Sequence, residues 1–182
     1  MTTTPIIKVR EMAYPRLQVP DLDRMEAYLM DFGMVRAERR DRVLYMRGAG
    51  TAPYVHVIHE GEAAFPGFAF DAGSREDLER LAATPGFTPV EALDAPGGGV
   101  RTTTVDPIGL TVEVVHGIAP VAERGSLAPR SLNMGEAFQR IGTPQRIRGG
   151  PSRIKRFGHL ALNVPDPVAA LCLLYTSPSP RD

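Results

Sequence analysis

RFGHLALNVPD, Arg156 to Asp166, repeats in outline a stretch met much earlier in the chain, AYPRLQVPD from Ala13 to Asp21. Superposing the two Val-Pro-Asp triplets, an offset of 145 residues, sets His159 on Tyr14, Leu162 on Leu17 and Val164 on Val19. Each copy is a short apolar or alternating run closed by an aspartate suited to cap a helix, so each predicts a strand that turns directly into a helix. The chemistry carried by the strand differs: a phenol in the first copy, an imidazole in the second.

Working outward, Asp21 is followed by Leu22, Met25, Leu29 and Phe32 at helical spacing, with Gly33 closing the helix. Short strands follow at Met34 to Arg39, Val43 to Arg47 and Tyr54 to His59. The same order then begins again. Phe65 to Phe70 alternates like a strand. Ser74 caps a helix through Leu78 and Leu81, with Asp77 completing an imperfect capping box, and Pro85-Gly86 ends it. Phe87 to Val90, Val100 to Val105 and Leu110 to Val115 are the remaining strands. One such unit leaves a sheet face bare, so two copies are expected to share a core. The fold class is α+β, with paired βαβββ modules at 12–60 and 65–116 forming one domain, 12–116, after a polar lead-in at 1–11.

Residues 117–153 read as a linker rich in Pro, Gly and Arg, whose longest candidate helix is Asn133 to Arg140. Its arginines form no helical stripe and have no aromatics interleaved for base stacking, so salt bridges to the domain are favoured over nucleic acid. Residues 154–171 begin a second domain. Cys172 to Asp182, CLLYTSPSPRD, matches the in-frame translation of a transposase adapter used in sequencing libraries. That stretch is set aside as non-native, and the natural protein is expected to be longer, cut within its second domain.

The 182 residues are 43% hydrophobic with zero formal net charge, which implicates neither nucleic acid nor membrane as a partner. No run approaches the roughly 20 apolar residues of a membrane span, and the first residues lack the apolar core of a secretion signal, so the chain reads as cytoplasmic. A single cysteine excludes a disulfide framework or a cysteine metal cluster.

His56 and His59 invite a metal reading, yet three residues apart on a strand they face opposite sides of the sheet, as do Glu113 and His116. One of the two histidines is expected at the surface and the other partly packed. Gly97-Gly98-Gly99 leads into a strand and lacks the ending of a phosphate loop, so it is read as a hairpin connection. Taken alone, His159 reads as a core histidine satisfied by a backbone carbonyl.

Paired βαβββ modules, a strand carrying GHLALNVPD and a closing segment VDPIGLTVEVV together resemble the vicinal oxygen chelate superfamily, which includes glyoxalase I, bleomycin-resistance proteins and type I extradiol catechol dioxygenases. The layout looks most like the two-domain extradiol dioxygenases. The resemblance covers residues 12–116 in pattern and 154–170 in motif.

It implies an N-terminal domain without metal and a C-terminal domain holding iron(II) by two histidines and a glutamate, the first of which would be His159. Three ligands leave iron(II) open positions for both catechol oxygens and dioxygen. The parent would then cleave a catechol-type aromatic beside its diol, as in aromatic compound catabolism, while this chain, with one ligand of three, would bind no catalytic iron. At the equivalent places of the first domain stand Tyr14, Gly67 and Glu113, of which only Glu113 is a ligand type. Ile108 and Leu110 depart from the family's usual turn and weaken Glu113 as a ligand. Tyr14 either fills space a metal vacated or makes a polar contact to a small ligand. The rival readings are a glyoxalase- or isomerase-like metalloenzyme and a non-catalytic binding protein for a small aromatic. The oligomeric state stays open, with Leu160 and Leu162 giving a truncated strand an edge that invites association into a homo-oligomer.

Overall fold

The structure, a computed structural model, describes residues 5–125, 133–139, 152–168 and 170. Its first module is β1 (Val9–Val19), α1 (Leu22–Asp31), β2 (Val35–Arg40), β3 (Val43–Arg47) and β4 (His56–Glu60). The second is β5 (Ala64–Ala72), α2 (Arg75–Ala82), β6 (Glu91–Ala92), β7 (Val100–Val105) and β8 (Thr111–His116). The repeat read from the sequence is therefore the repeat that folds.

All eight strands form one sheet in the order β2-β3-β4-β1-β5-β8-β7-β6. In each module the first strand lies parallel to the last, with Arg16 opposite Val57 in one and Ala69 opposite Glu113 in the other. The modules join where β1 and β5 run antiparallel, with Tyr14 opposite Ala69.

Local chemistry sets the helix ends. Asp21 accepts the Arg24 N–H at 2.9 Å and Ser74 Oγ accepts the Asp77 N–H at 3.2 Å, satisfying amides that would otherwise be orphaned. α1 lays Leu22 and Leu29 on Leu44, Met46 and Ile58, while α2 lays Leu78 and Leu81 on Phe68, Phe70, Val112 and Val114. Both helices thus cover the same side of the sheet.

The opposite side is left to Tyr14, Tyr45, Tyr54, Val57, Ala69, Leu93 and Val115. Arg40, on edge strand β2, donates to Asp94, just beyond edge strand β6, at 2.7 Å. Flat, an eight-stranded sheet would hold those edges on the order of 30 Å apart, so the sheet must curl into a cup.

Several expectations are corrected. β1 begins at Val9, and Ile7 and Val9 are buried, so the lead-in supplies two residues to the core; their place among exposed charges hid this. Residues 87–90 form no strand, because Thr88 pairs with β7 partly through its hydroxyl, which accepts the Thr103 N–H, and only Glu91–Ala92 continue the ladder. Asn133–Met134 and Ala137–Phe138 make a small hairpin turning at Gly135 (φ +53°), where a helix was expected. Arg140 and residues 171–182, including the adapter-like stretch, lie outside the described residues.

Residues 152–164 carry no strand, and His159 is exposed. A strand exists only through a ladder partner. β1 is already flanked by β4 and β5, so the segment binds the domain through side chains instead, with Ile154 on the α1 side and Phe157, Leu160 and Leu162 on the α2 side. The Ala49 N–H also donates to the Ile154 carbonyl at 2.6 Å. At Asp166 the two openings agree again, since its side chain accepts the Val168 N–H as a helical turn begins. Among the described residues no helix is long and apolar enough to cross a membrane.

Candidate functional site

The cup's chemistry follows from strand parity. Alternation along β1 sends Tyr14 and Arg16 inward, along β4 Val57 and His59, along β7 Arg101 and along β8 Glu113 and Val115. Tyr14, Ala69 and Glu113 stand in register across three neighbouring strands. Only a methyl group on β5 separates the outer two, so the phenol spans the roughly 10 Å between β1 and β8 and donates to Glu113 Oε2 at 2.8 Å.

Gly67, opposite Arg16 on β5, likewise offers no side chain to block the passage. A Cβ there would lie 1.9 Å from the Thr111 carbonyl oxygen, so the position admits only glycine and is no vanished ligand site.

Glu113 is 1% exposed and is the hub of a charged cluster. Its Oε1 accepts from Arg16 Nη1 at 2.5 Å and from Arg101 Nη1 at 2.8 Å. Arg16 Nη2 meets His59 Nε2 at 2.8 Å. A guanidinium can only donate, so that nitrogen accepts and the imidazole proton sits on Nδ1. Burial first, and the Arg16 charge second, hold His59 below its ordinary range and keep it neutral.

Burial and then the negative charge of Glu113 push the Tyr14 phenol well up, which fixes it as a donor. For Arg101, burial pulls its ionisation down and the bonds to Glu91 and Glu113 more than offset this.

Three tyrosines floor the cavity. Tyr54 packs tilted on Tyr14 at 5.0 Å and edge-on to Tyr45 at 5.2 Å between centroids. The Tyr54 hydroxyl is fully buried with no partner at hydrogen-bonding geometry, although the Tyr14 hydroxyl is near enough to bear on its ionisation. The remaining space is about 330 Å³, also bounded by Arg40, Leu93 and Asp94.

The metal chemistry that the resemblance implies needs a set of free donors, and this cup does not offer one. Its buried carboxylate, Glu113, is engaged by two guanidiniums and a phenol, and a divalent cation placed beside it would face Arg16 and Arg101. Among the described residues no three His, Cys, Asp or Glu side chains are grouped to hold a metal ion. His159 lies outside the cup.

The sequence reading set Tyr14, Gly67 and Glu113 at the places equivalent to the family's ligands, and the structure brings Tyr14 and Glu113 into contact. It missed Arg16 and Arg101, although Arg16 sits two residues along β1 from Tyr14 and Arg101 stands opposite the cup-facing Val115. His59 faces the cup while His56 faces away, stacked edge-on to Phe157 at 6.0 Å, as expected for residues three apart. Both are half-buried, and neither is at the surface. His116 turns from Glu113 to meet the Ala72 carbonyl at 3.2 Å. Gly97 to Gly99 connect β6 to β7 as a hairpin turn, all at positive φ.

No family model and no curated protein matches the sequence. Solved structures do match the fold. The Mn(II)-bound glyoxalase from Novosphingobium aromaticivorans superposes with a TM-score of 0.61 at 24% identity, over 67% of this chain and 44% of that one. Homoprotocatechuate 2,3-dioxygenase from Brevibacterium fuscum, in complex with 3,4-dihydroxyphenylacetate, gives 0.58 at 22% identity over 68% and 41%. The Arthrobacter globiformis enzyme of the same name gives 0.57 at 22% over 66% and 40%. The chain thus spans less than half the length of each of these proteins. Two βαβββ modules paired through their first strands, curled round one cup and superposing on these enzymes, give this chain the vicinal oxygen chelate fold.

Proposed function

We propose that residues 5–116 are the metal-free N-terminal domain of an iron(II)-dependent extradiol ring-cleaving dioxygenase acting on a catechol-type aromatic, followed by its linker and the first ligand segment of the iron-bearing domain. The carrying observation is the Arg16–Glu113–Arg101 cluster, which leaves the cup's buried carboxylate already neutralised. A domain built this way supports an active site elsewhere. Its partner domain would place His159 as the first of three iron ligands and would bring that segment its missing ladder neighbours. Iron(II), where bound, supplies open positions for catechol and dioxygen.

The test is expression of the natural gene extended through a fourth module. Dioxygen consumption with 3,4-dihydroxyphenylacetate or catechol should depend on added iron(II), and His159→Ala should reduce it at least a hundredfold. The 182-residue chain should take up no stoichiometric iron(II) by equilibrium dialysis. Activity that survives His159→Ala, or iron held by the short chain and lost in Glu113→Gln, would overturn the reading. Metal-dependent turnover of a thiol adduct without dioxygen would instead point to the glyoxalase-like alternative, which the Mn(II)-bound neighbour represents.

A further inference from the structure

We propose that the cup is a binding site for a small organic carboxylate, held by the guanidinium groups of Arg40 and Arg101 and by the buried hydroxyl of Tyr54, with no metal involved. The proposal rests on the reading that the cup excludes metal ions and is independent of which domain follows.

Charge on the cavity wall is unevenly committed. Arg16 commits Nη1 to Glu113 and Nη2 to His59. Arg101 gives Nε to Glu91 and Nη1 to Glu113, and Arg40 gives Nε to Glu38 and Nη1 to Asp94. In each of these two, Nη2 has no hydrogen-bond partner among the described residues. Asp94 is 94% exposed, so its hold on Arg40 is a weak surface contact. Glu38 and Glu91 pair with Arg40 and Arg101, so together with Glu113 and Asp94 the three arginines meet four carboxylates; what the wall offers an anion is the two Nη2 donors and not a surplus of charge. A carboxylate matches the planar edge of a guanidinium and accepts from both of these donors.

The rest of the cavity says what the anion is attached to. Tyr45, Tyr54, Val57 and Leu93 form an apolar wall in a space of about 330 Å³, at the small end of ligand pockets and about right for one ring. Inorganic phosphate would leave that wall bare.

On this floor the Tyr54 hydroxyl is buried and unpaired, an arrangement that costs about 1–3 kcal/mol unless something completes it. A ligand oxygen opposite the carboxylate would complete it.

The probes are benzoate, 4-hydroxybenzoate and benzamide, titrated into the full chain with EDTA present and followed by amide chemical shifts. Benzoate should shift Tyr54, Val57 and Leu93 saturably and bind at least tenfold more tightly than the isosteric neutral benzamide. Arg40→Gln, at a half-exposed position where folding is not at risk, should weaken benzoate at least fivefold. 4-Hydroxybenzoate should bind more tightly than benzoate in the parent chain, and this advantage should vanish in Tyr54→Phe. The proposal fails if shifts are absent or do not saturate, if benzamide matches benzoate, if Arg40→Gln binds unchanged, or if the 4-hydroxyl advantage survives Tyr54→Phe. Because EDTA is present throughout, none of these outcomes bears on whether the intact protein carries iron elsewhere.

Discussion

Arg16 Nη1 lies 2.5 Å from Glu113 Oε1, joining the first strand of one module to the last strand of the other across 97 residues of sequence. With Arg101 and Tyr14 on the same carboxylate, the contact links both halves of the cup through one buried charge.

Removing that charge while keeping its shape should be costly. Glu113→Gln takes the carboxylate from Arg16 and leaves Arg101 with Glu91 alone. The loss expected for breaking a buried pair is 3–5 kcal/mol, reduced here to about 2–3 because both arginines are partly solvated. Urea unfolding should show a lower midpoint with an unchanged slope. Tyr14→Phe, which removes one hydrogen bond to the same carboxylate, should cost only about 1–2 kcal/mol.

His56 gives the fold an acid-sensitive element. Burial lowers its folded-state value to about 4, against an ordinary value of about 6.5 in the unfolded chain. The unfolded chain therefore takes up the proton first, and stability falls as pH drops from about 6.5 to about 4, then levels off for this group. The loss is on the order of 3 kcal/mol. His56→Gln should flatten the dependence of Tm on pH across that window. An equally steep profile in the variant would assign the acid sensitivity to other groups.

The helix caps predict small, separable losses. Asp21→Ala and Ser74→Ala each remove the acceptor of one first-turn amide and should cost about 1 kcal/mol apiece. The two sites lie in different modules and share no partner, so the double variant should lose the sum, measured by thermal unfolding.

The segment at 152–155 docks by backbone proximity, and three glycines permit it, with Gly33 so close to Ser152 that a Cβ would lie 1.6 Å from its carbonyl oxygen. A Cβ at Gly48 would come within 2.3 Å of the Ile154 carbonyl oxygen, and one at Gly50 within 2.5 Å of that of Lys155. Gly48→Ala should release this segment while leaving the cup folded. The expected readout is faster trypsin cleavage after Arg153 and Lys155 with little change in the main unfolding transition. Protection equal to that of the parent chain would show that the docking does not depend on this contact.

Much of this molecule is legible from residue order alone. Alternation and helical spacing, together with caps such as Asp21 and Ser74, are local signals, and they gave the two modules, their element order and the opposed faces of His56 and His59. The doubled Val-Pro-Asp opening announced the repeat. What the sequence could not reveal is which residues meet inside the cup. Arg16, Arg101 and Tyr14 converge on Glu113 only because β1, β5 and β8 lie side by side, a pairing set by hydrophobic burial over nearly a hundred intervening residues. Ala69 and Gly67 matter there for the side chains they lack, a property with no signature of its own. The same cause explains His159: its surroundings spell a strand, but strand pairing is a tertiary relation, and every interior place in the sheet is already taken.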